Sequence, residues 1–175
     1  FSPDGRWLAV LGGTPAEFGC IELWDWNEQT RVKSVRHHND ILYSGAWEED
    51  GSHFVISSGD GLCSVLSSPD LRVVSSFSGH SGAVVSIQSL ARQRVVSAGI
   101  DQTLRIWESR TGAVVRELDN HTDMVNGLLR FPQRSDIQRE RLLSCGQDKT
   151  VRLWDPETGR LIRFQRLPAV PRCMA

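Results

Sequence analysis

Short apolar runs separated by polar turns recur along the whole chain and predict β-strands. In the segment 83–121, the runs AVVSIQSL, QRVVSAG, TLRIWES and AVVRELDNH are rich in Val, Ile, Leu and Trp. Turn sequences such as SPDG at 2–5, EEDG at 48–51 and SGDG at 58–61 mark tight connections. Because no helical periodicity persists over a comparable length, the pattern predicts an all-β fold.

The strand pattern is itself repeated. Residues 101–116 and 148–163 align without a gap and share Asp, Thr, Arg, Trp, Thr, Gly and Arg in register. Equivalent anchor positions are spaced 42, 41 and 47 residues apart, at Trp24, Leu66, Trp107 and Trp154. Each period contains four predicted strands, called a to d here in chain order. A unit repeated in this way buries its apolar faces against its neighbours.

The period near 42, the Gly-His pair at 79–80 and the Trp-Asp pairs at 24–25 and 154–155 resemble the WD-repeat β-propeller family. The resemblance covers the whole chain and implies antiparallel four-stranded blades, with the first blade lacking its first strand. Such rings usually close with about seven blades, so further blades from the same full-length chain are expected. The implied partial propeller domain, 1–175, has blades at about 1–36, 37–78, 79–119 and 120–167.

Four features depart from the family pattern. Leu66-Ser67 and Trp107-Glu108 stand where Trp-Asp is expected, and the first unit has an enlarged turn, GGTPAEFG at 12–19. The first unit also lacks the turn Asp, so its enlarged turn is a candidate for specialisation. The segments GGTP, VRLWDP and GRLIRF resemble segments of bacterial proteins.

The resemblance implies a hydrogen-bonded tetrad in each complete blade: the turn Asp accepts from a His, the His bonds a Ser, and the Ser accepts from a Trp indole. The sets are His80, Ser97, Asp101 and Trp107, then His121, Ser144, Asp148 and Trp154, and a partial set of His38, Ser57 and Asp60. Ser, His and Asp could instead form a nucleophilic triad. Because an enzyme needs one nucleophile in one pocket, a set that recurs in register favours a structural role, with no catalytic residue.

Metal and cofactor sites are not expected. HHND at 37–40 brings two His and an Asp together, but adjacent residues of an extended chain point in opposite directions and one His belongs to the blade network. No Gly-rich loop lies between a strand and a helix, as phosphate binding would require. The four cysteines are far apart, which favours isolated buried thiols.

The charge and hydropathy of the chain argue against some classes of binding partner. Lys and Arg total 20 against 21 Asp and Glu, so neither nucleic acid nor an anionic membrane is an expected partner. No apolar run is long enough to cross a bilayer, so membrane insertion is not expected. The compartment is not determined, and the cytoplasm is slightly favoured. The mixed-charge insertion at 132–141, which contains Arg134, accounts for the 47-residue spacing and is interpreted as a solvated loop.

Function is therefore expected on the loops. In the family, the d–a and b–c loops share one face that takes protein or peptide partners. The candidate contact residues of this chain are Phe18, His37, Tyr43, Ile100, Gln102, Met124, Gln147 and Lys149. Two hypotheses remain open: a non-catalytic protein-interaction scaffold, and a substrate-docking or regulatory propeller of a larger enzyme whose catalytic domain lies outside this chain.

Overall fold

The computed structural model describes residues 1–131 and 139–172, and these residues form four antiparallel sheets without a helix. In every sheet the strands follow chain order. The first sheet has three strands: β1 (Trp7–Thr14), β2 (Phe18–Asp25) and β3 (Thr30–Arg36). The second has β4 (Leu42–Trp47), β5 (His53–Ser58), β6 (Leu62–Ser67) and β7 (Val73–Ser78). The third has β8 (Val84–Leu90), β9 (Arg94–Gly99), β10 (Leu104–Glu108) and β11 (Val114–Leu118). The fourth has β12 (Val125–Phe131), β13 (Arg141–Gly146), β14 (Thr150–Asp155) and β15 (Arg160–Arg166).

This arrangement confirms the all-β propeller fold predicted from the sequence, including a first blade without its a strand. Burial follows strand position within each blade. The b strands β5 and β9 are buried along nearly their whole length because sheets cover both of their faces, whereas the outer d strands β7, β11 and β15 are mostly exposed. No described segment is a helix of the length and apolarity that a membrane span requires.

Three apolar cores lie between consecutive sheets. Each core combines one face of a blade with the facing side of the next, and the repeat anchors Leu66, Trp107 and Trp154 lie in successive cores, all fully buried. Burying a side chain of this size stabilises the fold by about 1.5 to 3 kcal/mol. The blades therefore stabilise one another through packing, as the repeat predicted.

The sheets at the two ends each have one face that no other described sheet covers. In the fourth blade the uncovered face carries Leu129, Leu143 and Leu153, which are paired across neighbouring strands and only half-buried. In the first blade, the exposed Val10 lies on the corresponding face. These are the faces against which further blades of a ring would pack.

The enlarged turn predicted at 12–19 is instead a long hairpin. β1 continues to Thr14, β2 begins at Phe18, and these two residues pair across the hairpin end. The Ala16 amide at the tip donates to Asp40 Oδ1 at 2.8 Å, which fixes the tip to the next d–a loop.

The predicted insertion is only partly described, since residues 132–138, including Arg134, lie outside the described residues. On its C-terminal side, Arg139 and Arg141 form ion pairs with Asp155 at 3.8 and 3.5 Å. These two arginines are therefore paired within the fourth blade.

Candidate interaction face and the networks beneath it

The fourth blade contains an unbroken hydrogen-bonded network. His121, on the loop before β12, places Nδ1 2.8 Å from Asp148 Oδ2 and Nε2 2.7 Å from Ser144 Oγ. The Trp154 indole Nε1 donates to the same Ser144 oxygen at 2.8 Å. Unpaired polar atoms in this position would each cost about 1 to 3 kcal/mol, so the network stabilises the blade only as a complete set.

The electrostatics of this network define the proton positions. Burial lowers the pKa of His121 below its usual value, despite the neighbouring Asp148. Burial would raise the pKa of Asp148, but hydrogen bonds from Thr150 and His121 outweigh it and hold the pKa at about 2. With a neutral imidazole and an ionised carboxylate, Nδ1–H donates to Asp148 and Nε2 accepts from the Ser144 hydroxyl.

In the third blade the network reaches the serine but not the indole. His80 Nδ1 lies 2.9 Å from Asp101 Oδ2, and His80 Nε2 lies 2.8 Å from Ser97 Oγ. The predicted fourth member, Trp107, has a buried Nε1 that finds no hydrogen-bond partner among the described residues. Its ring instead stacks on Phe77 of the second blade, with centroids 5.0 Å apart. The tetrad predicted here is thus a triad, because the indole is held by stacking across the blade interface.

In the second blade, a different serine from the predicted one contacts the histidine. His38 Nδ1 lies 3.0 Å from Asp60 Oδ2, and His38 Nε2 lies 3.1 Å from the hydroxyl of Ser64. The predicted Ser57 instead donates to the Ser44 carbonyl at 3.4 Å. The assignment of Ser57 to the network is therefore corrected to Ser64.

A register difference explains that correction. Ser97 and Ser144 each lie four residues before the turn Asp, and in the second blade this position is Ile56. Ile56 pairs directly with Ser64 on β6, so the hydroxyl reaches the histidine from the adjacent strand. The four-residue spacing was the sequence signal that excluded Ser57.

The Trp-Asp aspartates have a different role from the turn aspartates. Asp155 Oδ1 accepts from the amides of Glu157 and Thr158, and Asp25 Oδ1 accepts in the same way from the next turn. These carboxylates therefore stabilise the c–d turns. The Trp24 indole donates to Glu22 at 3.1 Å and joins no histidine network.

The networks do not have the access that a nucleophilic triad needs. Ser97 and Ser144 are completely inaccessible to solvent. The Ser144 oxygen already bonds a histidine and an indole. A substrate carbonyl cannot approach these hydroxyls, so the His, Ser and Asp sets serve the fold.

The two adjacent histidines of HHND are both used by the second blade. His37 Nε2 lies 3.1 Å from the Ser64 hydroxyl that also contacts His38. Burial, followed by the neighbouring His38, lowers the pKa of His37. Asp40 accepts from the Ala16 and Ile41 amides, so its carboxylate does not join the imidazoles.

Backbone hydrogen bonds join the d–a and b–c loops in each complete blade. Gly59 donates to Ile41, Ile100 donates to Ala83, and Gln147 donates to Met124, at 2.9, 3.0 and 2.8 Å respectively. Each bond lies beside a His–Asp pair that joins the same two loops. The loops of this face, called the loop face below, are therefore fixed to one another.

The predicted contact residues differ in accessibility on the loop face. Tyr43 and Ile100 are 51% and 47% exposed, and the side chains of Gln102, Gln147 and Lys149 are also exposed. His37, Met124 and Phe18 are half-buried. Phe18 lies under the Arg36 guanidinium, 4.1 Å from its ring centroid, so it packs within the first blade.

Three equivalent β-bulges mark the start of the a strands. The ladder shifts around Tyr43, Val85 and Asn126, so each of these residues is an extra residue in its strand. The spacings, 42 and 41 residues, match the repeat. Sequence reasoning selected Tyr43 and missed the other two, although the period was a sufficient signal. Bulges commonly redirect a side chain next to a functional surface.

Two open depressions lie on the loop face of the fourth blade. One, of about 330 Å³, is bordered by Val85, Met124, Asn126, Gln147 and Arg172. The other, of about 530 Å³, is bordered by Thr122, Asp123, Gln147, Asp148, Lys149, Arg166, Leu167 and Pro168. Three of the predicted contact residues and two of the bulge residues therefore line concave surface.

A family model described as "WD domain, G-beta repeat" matches residues 71–108 and 112–155. These two segments are WD repeats, as the sequence predicted. Each matched WD repeat begins near a d strand, at β7 or β11, and ends with the c strand of the next sheet. Sequence repeat and structural blade are therefore offset by one strand, and each repeat links two adjacent blades.

The WD-repeat relatives come from a plant, frogs and a fission yeast. The chain is 31% identical over 107 residues to the U3 snoRNP-associated protein-like EMB2271 of Arabidopsis thaliana, over 61% of this chain and 22% of the relative. It is 27% identical to the U3 small nucleolar RNA-associated protein 15 homolog of Xenopus tropicalis, over 60% of this chain and 21% of the relative. It is 30% identical to the pre-rRNA-processing protein crb3/ipi3 of Schizosaccharomyces pombe, over 63% of this chain and 28% of the relative. The matched segments thus span less than a third of each relative.

Proposed function

We propose that this chain is part of a non-catalytic WD-repeat scaffold that binds a protein or peptide on the loop face. The observation that carries the proposal is the repeated joining of the d–a and b–c loops by a backbone bond and a His–Asp pair. Loops held in one arrangement lose little conformational entropy when a partner binds. The networks thus support a pre-organised surface and supply no reactive group of their own.

The side chains on that surface suit a protein partner. Tyr43 and Ile100 present exposed apolar area, and Met124 borders the smaller depression together with Gln147. Tyr and Met can anchor an interface, and a few such anchors carry most of the binding energy. Gln102 and Lys149 would contribute polar contacts around them.

The names of the relatives favour a particular kind of assembly. Those proteins are described as associated with the U3 snoRNP, with a small nucleolar RNA, or with pre-rRNA processing. By this similarity we infer that the partner is a protein of a ribonucleoprotein assembly that processes pre-ribosomal RNA. That inference favours the nucleolus over the cytoplasm preferred from the sequence. It also makes RNA a neighbour of the bound protein, although direct RNA contact is not part of the proposal.

The alternative, a docking propeller of a larger enzyme, has no specific support among the described residues. The scaffold proposal also includes further blades of the full-length chain, which would cover the uncovered faces of the first and fourth blades.

The proposal is tested by substitution on the loop face of the full-length protein. A Tyr43→Ala, Ile100→Ala, Met124→Ala variant should lose its associated proteins at least about tenfold in quantitative affinity purification, because it removes the proposed anchors. A matched control, Val73→Ala, Val74→Ala, Val114→Ala, removes three exposed apolar side chains from the outer d strands and should retain the associated proteins.

Two outcomes decide against the proposal. Equal retention by both variants would exclude the loop face. If ribonuclease treatment of the parent protein also removed the associated proteins, the loop face would bind RNA and not a protein.

A further inference from the structure

A cluster of potential metal ligands lies at the opposite end of the second blade from the loop face. Glu48 and Asp50 lie on the a–b turn, and His53 begins β5. One donor atom of each side chain lies within 4.8 Å of the other two. The turn is closed by hydrogen bonds from the Glu48 amide to the His53 carbonyl and from the Gly51 amide to the Glu48 carbonyl, at 2.9 and 3.0 Å. The backbone therefore brings the three side chains together.

Glu48 carries an unsatisfied buried oxygen. Its side chain is only 7% exposed, and Oε2 accepts from Arg110 Nη2 at 2.9 Å. Among the described residues, Oε1 is also buried and has no hydrogen-bond partner. Arg110 Nη1, on the same guanidinium, is likewise buried and unpartnered, so this ion pair leaves one acceptor and one donor unused. A buried acceptor without a donor is destabilising, so Oε1 could accept a further electropositive partner.

The surroundings of the cluster orient the other ligands. Asp50 Oδ1 accepts from the Ser52 amide at 2.9 Å and from its hydroxyl at 2.7 Å. The Ser52 hydroxyl also lies 2.5 Å from His53 Nδ1. These two hydrogen bonds from Ser52 fix the orientation of the Asp50 carboxylate. Metal ligands are commonly held by such outer hydrogen bonds.

The cluster borders space that could accommodate water ligands. A cavity of about 190 Å³ lies between the a–b turns of the second and third blades, and its lining includes Glu48 and Asp50. Arg110 Nη2, from the third blade, and His53 Nδ1 lie 2.9 and 3.5 Å from Glu48 Oε2, so the Glu48 carboxylate borders the imidazole of the cluster. Oε1 forms no ion pair among the described residues.

We propose that Glu48, Asp50 and His53 bind a divalent transition-metal ion, with zinc as the best match. One imidazole and two carboxylates are typical zinc ligands, and a water from the cavity would complete four-coordination. Mg²⁺ and Ca²⁺ fit less well because they prefer oxygen ligands alone. Through Arg110, the occupied site would connect the second and third blades at the end opposite the loop face.

The test is titration of the metal-stripped full-length protein with zinc sulfate by calorimetry, and with cobalt chloride by visible absorption. We expect a site that gives the absorption of low-coordinate cobalt. Asp50→Asn and His53→Gln should each weaken binding at least about tenfold, since each removes a ligand. Both side chains are partly accessible, so these variants should fold, as circular dichroism would check.

Glu49→Gln is the matched control. Glu49 lies between two of the ligands in sequence and is exposed, but its carboxylate pairs with Arg130. This variant changes the local charge equally and should bind zinc like the parent. Absence of a heat or cobalt band in the parent would overturn the proposal. So would unchanged binding in His53→Gln, or an equal loss in Glu49→Gln.

Discussion

The third and fourth blades contain the same His, Ser, Asp and Trp types, yet only the fourth connects all four. Trp154 donates to Ser144, whereas the Trp107 indole N–H has no hydrogen-bond partner in the described part of the chain. The preceding blade explains the difference. Cys63 and Phe77 face the third blade, and the equivalent residues facing the fourth are Leu104 and Leu118.

The two neighbours act on different groups of the third blade. Burial raises the pKa of the Cys63 thiol, and its interaction with Ser97 acts in the opposite direction. Phe77 stacks on the Trp107 ring. In the third blade, Ser97 interacts with the Cys63 thiol and the Trp107 indole is held by stacking, so the two groups do not form a hydrogen bond. In the fourth blade, the neighbouring residues are aliphatic, and Ser144 and the Trp154 indole are free to bond each other. A repeated motif therefore specifies residue types, and the adjacent sheet determines which of them bond.

The largest expected effect is loss of the histidine that both blades use. His80→Ala and His121→Ala should each lower the free energy of unfolding by about 3 kcal/mol or more, because each leaves a cavity and a carboxylate without its donor. Chemical denaturation of the full-length protein measures this, with exposed Tyr43→Ala as a control expected to stay within about 0.5 kcal/mol. A His80→Ala protein that melts like the parent would contradict the structural role of the network.

An intermediate effect separates the two tryptophans. Trp154→Phe and Trp107→Phe remove the same volume from similarly buried positions, but only the first removes a hydrogen bond. Trp154→Phe should be more destabilising by about 1 to 2 kcal/mol, since Trp107→Phe removes an unsatisfied donor. Equal losses of unfolding free energy would show that the indole bond of the fourth blade contributes nothing.

The smallest expected effect, taken for each buried histidine separately, is a dependence of stability on pH. The pKa values of His37, His80 and His121 are lowered in the folded state, mainly by burial. Below the unfolded pKa of about 6.5 the unfolded chain takes up protons that the folded chain excludes, so stability falls as pH decreases. The slope should not exceed about 1.4 kcal/mol per histidine for each pH unit.

Denaturation midpoints at pH 7.5, 6.5 and 5.5 would measure this slope, and a constant stability would count against it. A second loss is expected below the usual aspartate pKa of 3.8, because Asp148 titrates at about 2 in the folded protein. The ionised Asp148 carboxylate accepts hydrogen bonds from His121 and Thr150, and protonation of Asp148 weakens both bonds.

The strand pattern, the period and the turn aspartates were readable from local sequence because alternation, turn chemistry and repetition act over a few residues. The resemblance to WD repeats placed His38, His80 and His121 opposite their aspartates. Sequence reasoning assigned Ser57 instead of Ser64, since it did not consider hydroxyls on an adjacent strand. It interpreted EEDG as a turn, and the approach of His53 to that turn became visible only in the folded hairpin.

The sequence by itself determined the number of strands, their order and the residues available for each network. Tertiary structure decided which hydroxyl meets His38, whether an indole joins Ser97 or stacks on Phe77, and that Phe18 packs beneath Arg36. The physical reason is that a hydrogen bond depends on positions to within a few tenths of an ångström. Those positions are set by packing against the neighbouring blade, and no local pattern contains that information.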